Sequence, residues 1–417
     1  KEGLARLTFV PVLPGETMGV HKIAIGFFAI ALDRRLPATP AESTKADPPT
    51  DAELEGNPAT DWLILSTVAV SGFVALVYEV AWTRALTALI SNSSYAFAIM
   101  LVTFLVGIAL GSSWAARFRP TADLRLLGVC QLAIAVGGLV FLGGYLVAPG
   151  LLVELVRTVD YAFPAVVTVQ FVICGALMIV ATFFMGATLP IAAQLYSSSM
   201  RLLGTRIGSV YSLNTLGAIA GALGAGFVLL PTIGTERTVL IGMMCNAAIA
   251  LALFRKSGER TLVFGRATVL LLVVGMLAIP GGRIWTPDDL DRGVLIYAKQ
   301  FEARPNLTID EHYAETDVVY FREGKNASVS IRRGAGYVGL RVNGKVDASN
   351  GNDKKTQLLL SYLPGFHHQA PEDVLVIGYG SGVTSGVATV FPATQRVDTV
   401  EIEPAGIEAG RYFADYN

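Results

Sequence analysis

Asp373-Val-Leu-Val-Ile-Gly-Tyr-Gly-Ser-Gly382 runs four apolar residues straight into three glycines at alternate positions. An unbroken apolar run rich in β-branched residues predicts a buried strand of the parallel-sheet type. Glycines at its end permit a sharp turn and a close approach of backbone to a ligand. A helix is expected next, then a second strand over Val397–Ile402 that ends in acids. Glu401 lies 19 residues beyond Gly382. In this strand-loop-helix-strand layout the backbone approaches a nucleotide and a carboxylate accepts both ribose hydroxyls.

The dinucleotide fingerprint needs a glycine at position 383, which is Val383, so NAD is disfavoured. Gly378-x-Gly380-x-Gly382 better fits a loop that binds an adenosyl-sulfonium compound, where no phosphate has to be cradled. A doubly wound domain that uses its glycines only to turn is the other reading of the same residues. Upstream, Thr316–Arg322, Ala327–Arg333 and Tyr337–Val342 read as strands, with Gly334-Ala-Gly336 as a hairpin turn. Asp353–Tyr362 reads as a helix with Leu358, Leu359 and Tyr362 on one face, ended by Pro364-Gly365. His312, His367 and His368 do not form a metal set, and no metal is expected.

The region before this segment has a different polarity. Residues 62–282 hold 18 charged side chains in 221, about 8%, whereas residues 283–417 hold 32 in 135, about 24%. The second figure is the ordinary soluble value and the first is far below it. Seven stretches meet or approach the roughly 20 apolar residues needed to cross a bilayer: 62–83, 93–114, 124–148, 163–189, 207–230, 237–254 and 261–280. The seventh is the weakest, because Arg266 leaves only Ala267–Pro280 uninterrupted. The expected fold is thus a polytopic α-helical membrane bundle, then a small β-rich segment, then the first part of a Rossmann-like α/β domain. Its divisions are a polar leader and linker (1–61), the bundle (62–282), the β-rich part (283–352) and the nucleoside-binding start (353–417). Within the leader, Ile23–Leu32 is too short to span.

Arg117, Arg119, Arg125, Arg201, Arg206, Arg255, Lys256, Arg260 and Arg266 fall in alternate loops, against Arg84, Arg157 and Arg237 in the others. The positive-inside rule places the richer set in the cytoplasm. Seven crossings then put the domain after Arg283 on the periplasmic side; six would keep it cytoplasmic. Glu79, the one acid within a predicted span, is a functional candidate by virtue of the cost of burying it. The plainer reading is a surface acid beside the interfacial anchors Trp82 and Arg84. Gly217-Ala-Ile-Ala-Gly221-Ala-Leu-Gly224 repeats small residues at helical spacing, which predicts close helix packing, within the chain or at a subunit interface. Cys130, Cys174 and Cys245 all lie in apolar spans, as small packing residues. With 32 basic and 33 acidic residues, the chain offers no basic field for nucleic acid.

Taken in order, these segments resemble the membrane-bound, spermidine synthase-like (polyamine aminopropyltransferase-like) proteins of bacteria. The matching pieces are Ser71-Gly-Phe-Val-Ala-Leu-Val-Tyr-Glu-Val-Ala-Trp82, Met185-Gly-Ala-Thr-Leu-Pro190, Asn214-Thr-Leu-Gly-Ala218 and Phe321-Arg-Glu-Gly-Lys325. Leu340-Arg-Val-Asn-Gly-Lys-Val-Asp-Ala348, Val374–Gly382 and Val400-Glu-Ile-Glu-Pro404 complete the set. The resemblance implies aminopropyl transfer from a sulfonium nucleoside to a polyamine at the inner membrane. No prosthetic group is implied; decarboxylated S-adenosylmethionine and methylthioadenosine would be substrate and product. Glu401 would clamp the ribose, Gln357 would contact the ligand, and Gly378, Gly380, Ser381 and Gly382 would form its loop. Ser381 stands where soluble members carry an acid, Asn343-Gly344 where they have Asp-Gly, and Asp347 where they usually have Gln. Transfer needs a base to deprotonate the amine, and that acid lies on later strands in the family. Since Asn417 follows 14 residues after Glu403, an incomplete catalytic site is expected. Lipid and membrane-complex subunits are the expected partners beside the small molecules. The alternative function is a non-catalytic subunit of a larger membrane complex with a vestigial synthase domain.

Overall fold

A computed structural model describes residues 58–118, 122–196, 203–258, 264–272, 283–302 and 309–417. The leader, Arg119, Arg201, Arg260 and most of the seventh apolar stretch lie outside the described residues. Helices α1 (Pro58–Ile90), α2 (Ser94–Phe118), α3 (Leu124–Thr158), α4 (Phe163–Tyr196), α5 (Leu203–Gly224) and α6 (Leu230–Ser257) come first. Among the described residues five helices are long and apolar enough to cross a membrane, the fifth running 54 residues from Gly204 to Ser257. It contains α5, a π-helical stretch Ala225–Leu229 and α6, and it is broken at Gly234, whose φ is 83°. A left-handed residue cannot continue a right-handed helix, so the chain turns there.

Two clusters give the helix directions. Ile64 and Val68 of α1 pack with Ala115, Leu127, Ile191, Val210 and Leu253 at one end. Leu86 and Leu89 pack with Ile99, Leu152, Ile173 and Leu240 at the other. The six helices therefore alternate in direction, and the 54-residue helix doubles back. Large apolar side chains such as Leu105, Leu110, Val147, Val172, Leu216 and Phe227 remain exposed around the bundle. A soluble fold rarely tolerates so broad an apolar surface. α3 starts under an Asp123 cap, with Oδ1 accepting from Leu126 N at 2.6 Å. It continues ten residues past its expected end at 148 because Ala148, Pro149, Leu152 and Val153 are buried. Packing here outweighs the helix-breaking tendency of proline.

The small-residue stripe packs within the chain. A side chain on Gly217 would collide with the Ala69 carbonyl, and one on Gly221 with that of Phe73. Trp82 is not an interfacial anchor. It is fully buried, 4.8 Å from the Tyr78 ring and stacked 5.0 Å from Phe141. Glu79 is half-buried beside Thr83, Phe97, Met100 and Met178, and no arginine pairs with it among the described residues.

The chain leaves α6 at the Ile64 end, where Phe264 stacks 5.6 Å from Phe254. By Ile284 it has reached the opposite end. There Ile284 and Trp285 donate their N–H groups to Glu236 at 2.9 and 3.1 Å, and Trp285 Nε1 donates to the Leu142 carbonyl at 3.0 Å. Val294 and Leu295 then bond to the carbonyls of Ala88 and Leu89. Arg117, Arg125, Arg206, Arg255, Lys256 and Arg266 sit at the end away from this junction.

Strands β1 (Thr316–Glu323), β2 (Ser328–Gly334), β3 (Tyr337–Val342) and β4 (Lys345–Ser349) form an antiparallel meander in that order. The fourth strand was not expected. Asn343 (φ 51°) and Gly344 (φ 81°) are both left-handed, the requirement of a tight two-residue hairpin. Helix α7 (Asp353–His367) leads to β5 (Asp373–Ile377), α8 (Val383–Ala388), β6 (Arg396–Val400) and α9 (Pro404–Gly410). α7 runs through Pro364 rather than ending before it. β5 and β6 pair in parallel, Asp373 opposite Arg396 through Ile377 opposite Val400. β5 is parallel as expected but not buried as expected: Ile377 is 83% exposed and only Val376 is enclosed. Among the described residues α8 packs on both strands of this pair and α7 packs on α8, whereas a parallel sheet is stable with both faces covered.

Candidate functional site

The loop after β5 is built from backbone geometry that only glycine adopts readily. Gly378, Gly380 and Gly382 have φ of 89°, 56° and 84°. Beside Gly378 and Gly380 there is open space where a Cβ would stand. Gly378 N–H bonds to the Val400 carbonyl at 2.8 Å, which ties the loop to the end of β6.

Glu401 follows directly, and its carboxylate is fixed by two amides. Tyr379 N–H donates to Oε2 at 2.8 Å and Glu403 N–H donates to Oε1 at 3.0 Å. A carboxylate has about four lone-pair positions, so acceptor capacity is left on both oxygens. The group is half-buried and oriented by these two bonds.

The remaining candidates divide differently. Ser381 is 1% exposed, and its hydroxyl donates to Gln357 Oε1. Gln357 Nε2 donates to the Ser349 carbonyl at 3.3 Å, and Thr384 Oγ1 donates to the Gln357 carbonyl at 2.9 Å. The Gln357 amide and Ser381 thus brace the loop against α7 and β4. Gly378, Gly380 and Glu401 share the loop mouth. Asp347 lies at the surface, with Lys345 Nζ at 3.2 Å.

Sequence reading missed the group that supports Glu401. Glu403 is buried; it caps α9 through Ala405 N–H and accepts from Asn326 N–H at 2.9 Å. Asn326 Nδ2 donates to the Ile402 carbonyl at 2.9 Å. The Glu-x-Glu-Pro spacing, an acid before a proline at a helix start, is the signal that could have found it. Glu236 was missed as well, because the apolar stretch was expected to begin at 237. Burial raises the pKa of Glu323, while Thr235, Arg84 and Arg283 pull it back down.

The Glu323 carboxylate accepts Thr235 N–H at 3.0 Å and the Thr235 hydroxyl. A carboxyl whose folded pKa is raised binds more protons folded than unfolded, so stability falls as pH rises from the ordinary Glu range through the raised value. Glu323→Gln should remove that component. Across this window the parent should lose thermal stability relative to the variant as pH rises, because Gln carries no ionisable group; parallel curves would contradict the assignment.

Sequence comparison places these features among known proteins. Polyamine aminopropyltransferase 1 of Streptomyces coelicolor is 24% identical over 395 residues, covering 92% of this chain and 66% of that protein. Polyamine aminopropyltransferase of Corynebacterium efficiens is 25% identical over 355 residues, covering 83% of this chain and 61% of its own length. A 78-residue match to polyamine aminopropyltransferase of Streptococcus pneumoniae serotype 4 reaches 35% identity, over 18% of this chain and 27% of that protein. The chain therefore spans two thirds or less of the curated relatives it matches. No family profile and no solved structure matches. Across most of its length, then, the chain is similar to bacterial polyamine aminopropyltransferases, the resemblance its ordered motifs had implied.

Proposed function

We propose that the chain is an integral membrane protein whose Rossmann-like segment binds a sulfonium nucleoside for aminopropyl transfer to a polyamine. One observation carries the reading: Glu401 is held by two amides at the mouth of a loop of three left-handed glycines, with open space beside Gly378 and Gly380. Decarboxylated S-adenosylmethionine would lay its ribose on Glu401 and its base along the glycines. In the transfer, the amine lone pair attacks the carbon bonded to sulfur. The carbon–sulfur bond breaks with its electrons passing to sulfur, which leaves neutral methylthioadenosine. The new ammonium loses a proton to a base, and no residue of this chain is assigned that role. Gly382, Gln357 and Ser381 hold the loop in shape, and no prosthetic group is required. Calorimetric titration of methylthioadenosine into the full chain in detergent tests the reading; NAD should give no heat of binding.

A second reading is favoured by the path of the chain. It leaves α6 at the arginine-rich end and reaches Trp285 at the other. By the positive-inside rule the sheets would then be periplasmic, away from cytosolic sulfonium donors, and the chain would serve as a subunit of a membrane complex. Alkaline phosphatase fused after Gly282 should be active in that case. Fluorescence of a green fluorescent protein fusion at the same point would place the sheets in the cytoplasm.

A further inference from the structure

The candidate nucleoside site is connected to the bundle by an unbroken series of hydrogen bonds through the loop after β1. On the bundle side, Arg84 near the end of α1 donates from Nη2 to the Lys325 carbonyl at 3.0 Å. Arg84 also faces the charges of Glu323 and Glu403. Two residues before Lys325, Glu323 is held by the N–H and hydroxyl of Thr235 on α6. On the sheet side, Asn326 and Ala327 donate their N–H groups to Glu403 Oε2 at 2.9 and 3.4 Å. Asn326 also holds the Ile402 carbonyl. The backbone so fixed presents Glu403 N–H to Glu401 Oε1.

The packing leaves little slack in this series. Any side chain on Gly324 would run into the Glu403 carboxylate. Gly234 is similarly confined, since a Cβ there would lie 2.7 Å from Glu323 Oε1. We infer that Arg84 and the Thr235–Glu323 pair are positioning residues: the bundle sets the orientation of Glu401 through Lys325–Ala327 and Glu403. The inference rests on the nucleoside reading for its functional consequence, but the coupling itself can be observed without ligand.

The test uses the full chain in detergent, with Arg84→Gln, Arg84→Lys and Gly324→Ala. Hydrogen exchange is followed at the amides of Asn326, Ala327, Tyr379 and Glu403, and methylthioadenosine is titrated by calorimetry. Arg84→Gln should speed exchange at all four amides by about tenfold and weaken the nucleoside about tenfold, the effect of losing one charge-assisted bond. The β5–β6 ladder should keep its parent rates. Arg84→Lys retains a cationic donor and should restore both measurements. Gly324→Ala enters the series from the sheet side and should reproduce the Tyr379 and Glu403 effects with Arg84 intact. Faster exchange confined to Asn326 and Ala327, with Tyr379 and Glu403 unchanged in both variants, overturns the inference. If the parent binds no nucleoside but exchange still spreads to Tyr379 and Glu403, the coupling stands and the nucleoside reading alone fails.

Discussion

Glu401→Ala is expected to weaken methylthioadenosine binding by about 100-fold in calorimetry of the full chain. A ribose diol would donate two hydrogen bonds to this carboxylate, and bonds to a charged acceptor are worth about 1.5–3 kcal/mol each. Losing both removes about 3 kcal/mol or more, two decades in affinity. Alanine also frees Tyr379 N–H and Glu403 N–H, so part of the loss comes through the loop. Glu401→Asp separates the two contributions, since it keeps the charge on a shorter stem that cannot satisfy both amides and the diol together. An intermediate affinity is expected for it, and circular dichroism should show both variants folded. Unchanged affinity in Glu401→Ala would end the ribose assignment.

Asp291→Ala should cost about 3–5 kcal/mol of stability, read by chemical denaturation with a probe on the meander. Asp291 is 1% exposed and accepts from Arg332 Nε at 2.6 Å and from the Ser330 hydroxyl. Arg332 is wholly buried, lies 4.4 Å over the Tyr313 ring and also pairs with Asp288. Arg341 donates to the Asp291 carbonyl at 2.9 Å. Burial works against the charge of Arg341, but Asp291, Tyr313 and Tyr297 together outweigh it and hold the guanidinium pKa up. Removing one member of a buried ion cluster strands the others without compensation, which is the source of the large figure. Because Asp291 precedes β1 and sits between the bundle junction and the meander, its loss should leave the melting of the apolar helices unaltered. A change below about 1 kcal/mol, the value of an exposed pair, would show that the cluster is solvated.

The bundle and the glycine loop were legible in the sequence for different reasons. Apolar runs such as Ile173–Val180 report burial in any arrangement, so the presence of an apolar helical region follows from composition, whereas the stretches 207–230 and 237–254 fall in one 54-residue helix broken at Gly234. The glycines at 378, 380 and 382 report a backbone demand that no other residue meets cheaply, and Glu401 follows from its fixed spacing. The stripe at Gly217 and Gly221 was legible too, as it requires only a neighbouring backbone.

Other features depended on contacts between distant segments. Trp82 and Arg84 form an anchor-like pair in the sequence, yet the first is enclosed by Tyr78 and Phe141 and the second reaches Lys325, 241 positions away. Ser381 has the look of a ligand-facing loop residue, but its hydroxyl is taken by Gln357. Glu236 and Glu323 read as ordinary acids at element ends in the sequence, and the turn at Gly234 brings α6 against β1.

The sequence by itself determined that an apolar helical bundle precedes a polar part with a glycine loop, because burial periodicity and left-handed backbone are local properties of residue type. Only the tertiary structure decided which polar groups meet. Those pairings are set by chain reversal and by close approach of segments far apart in sequence. A buried carboxylate is stable only where the fold delivers the N–H groups that compensate for its lost water.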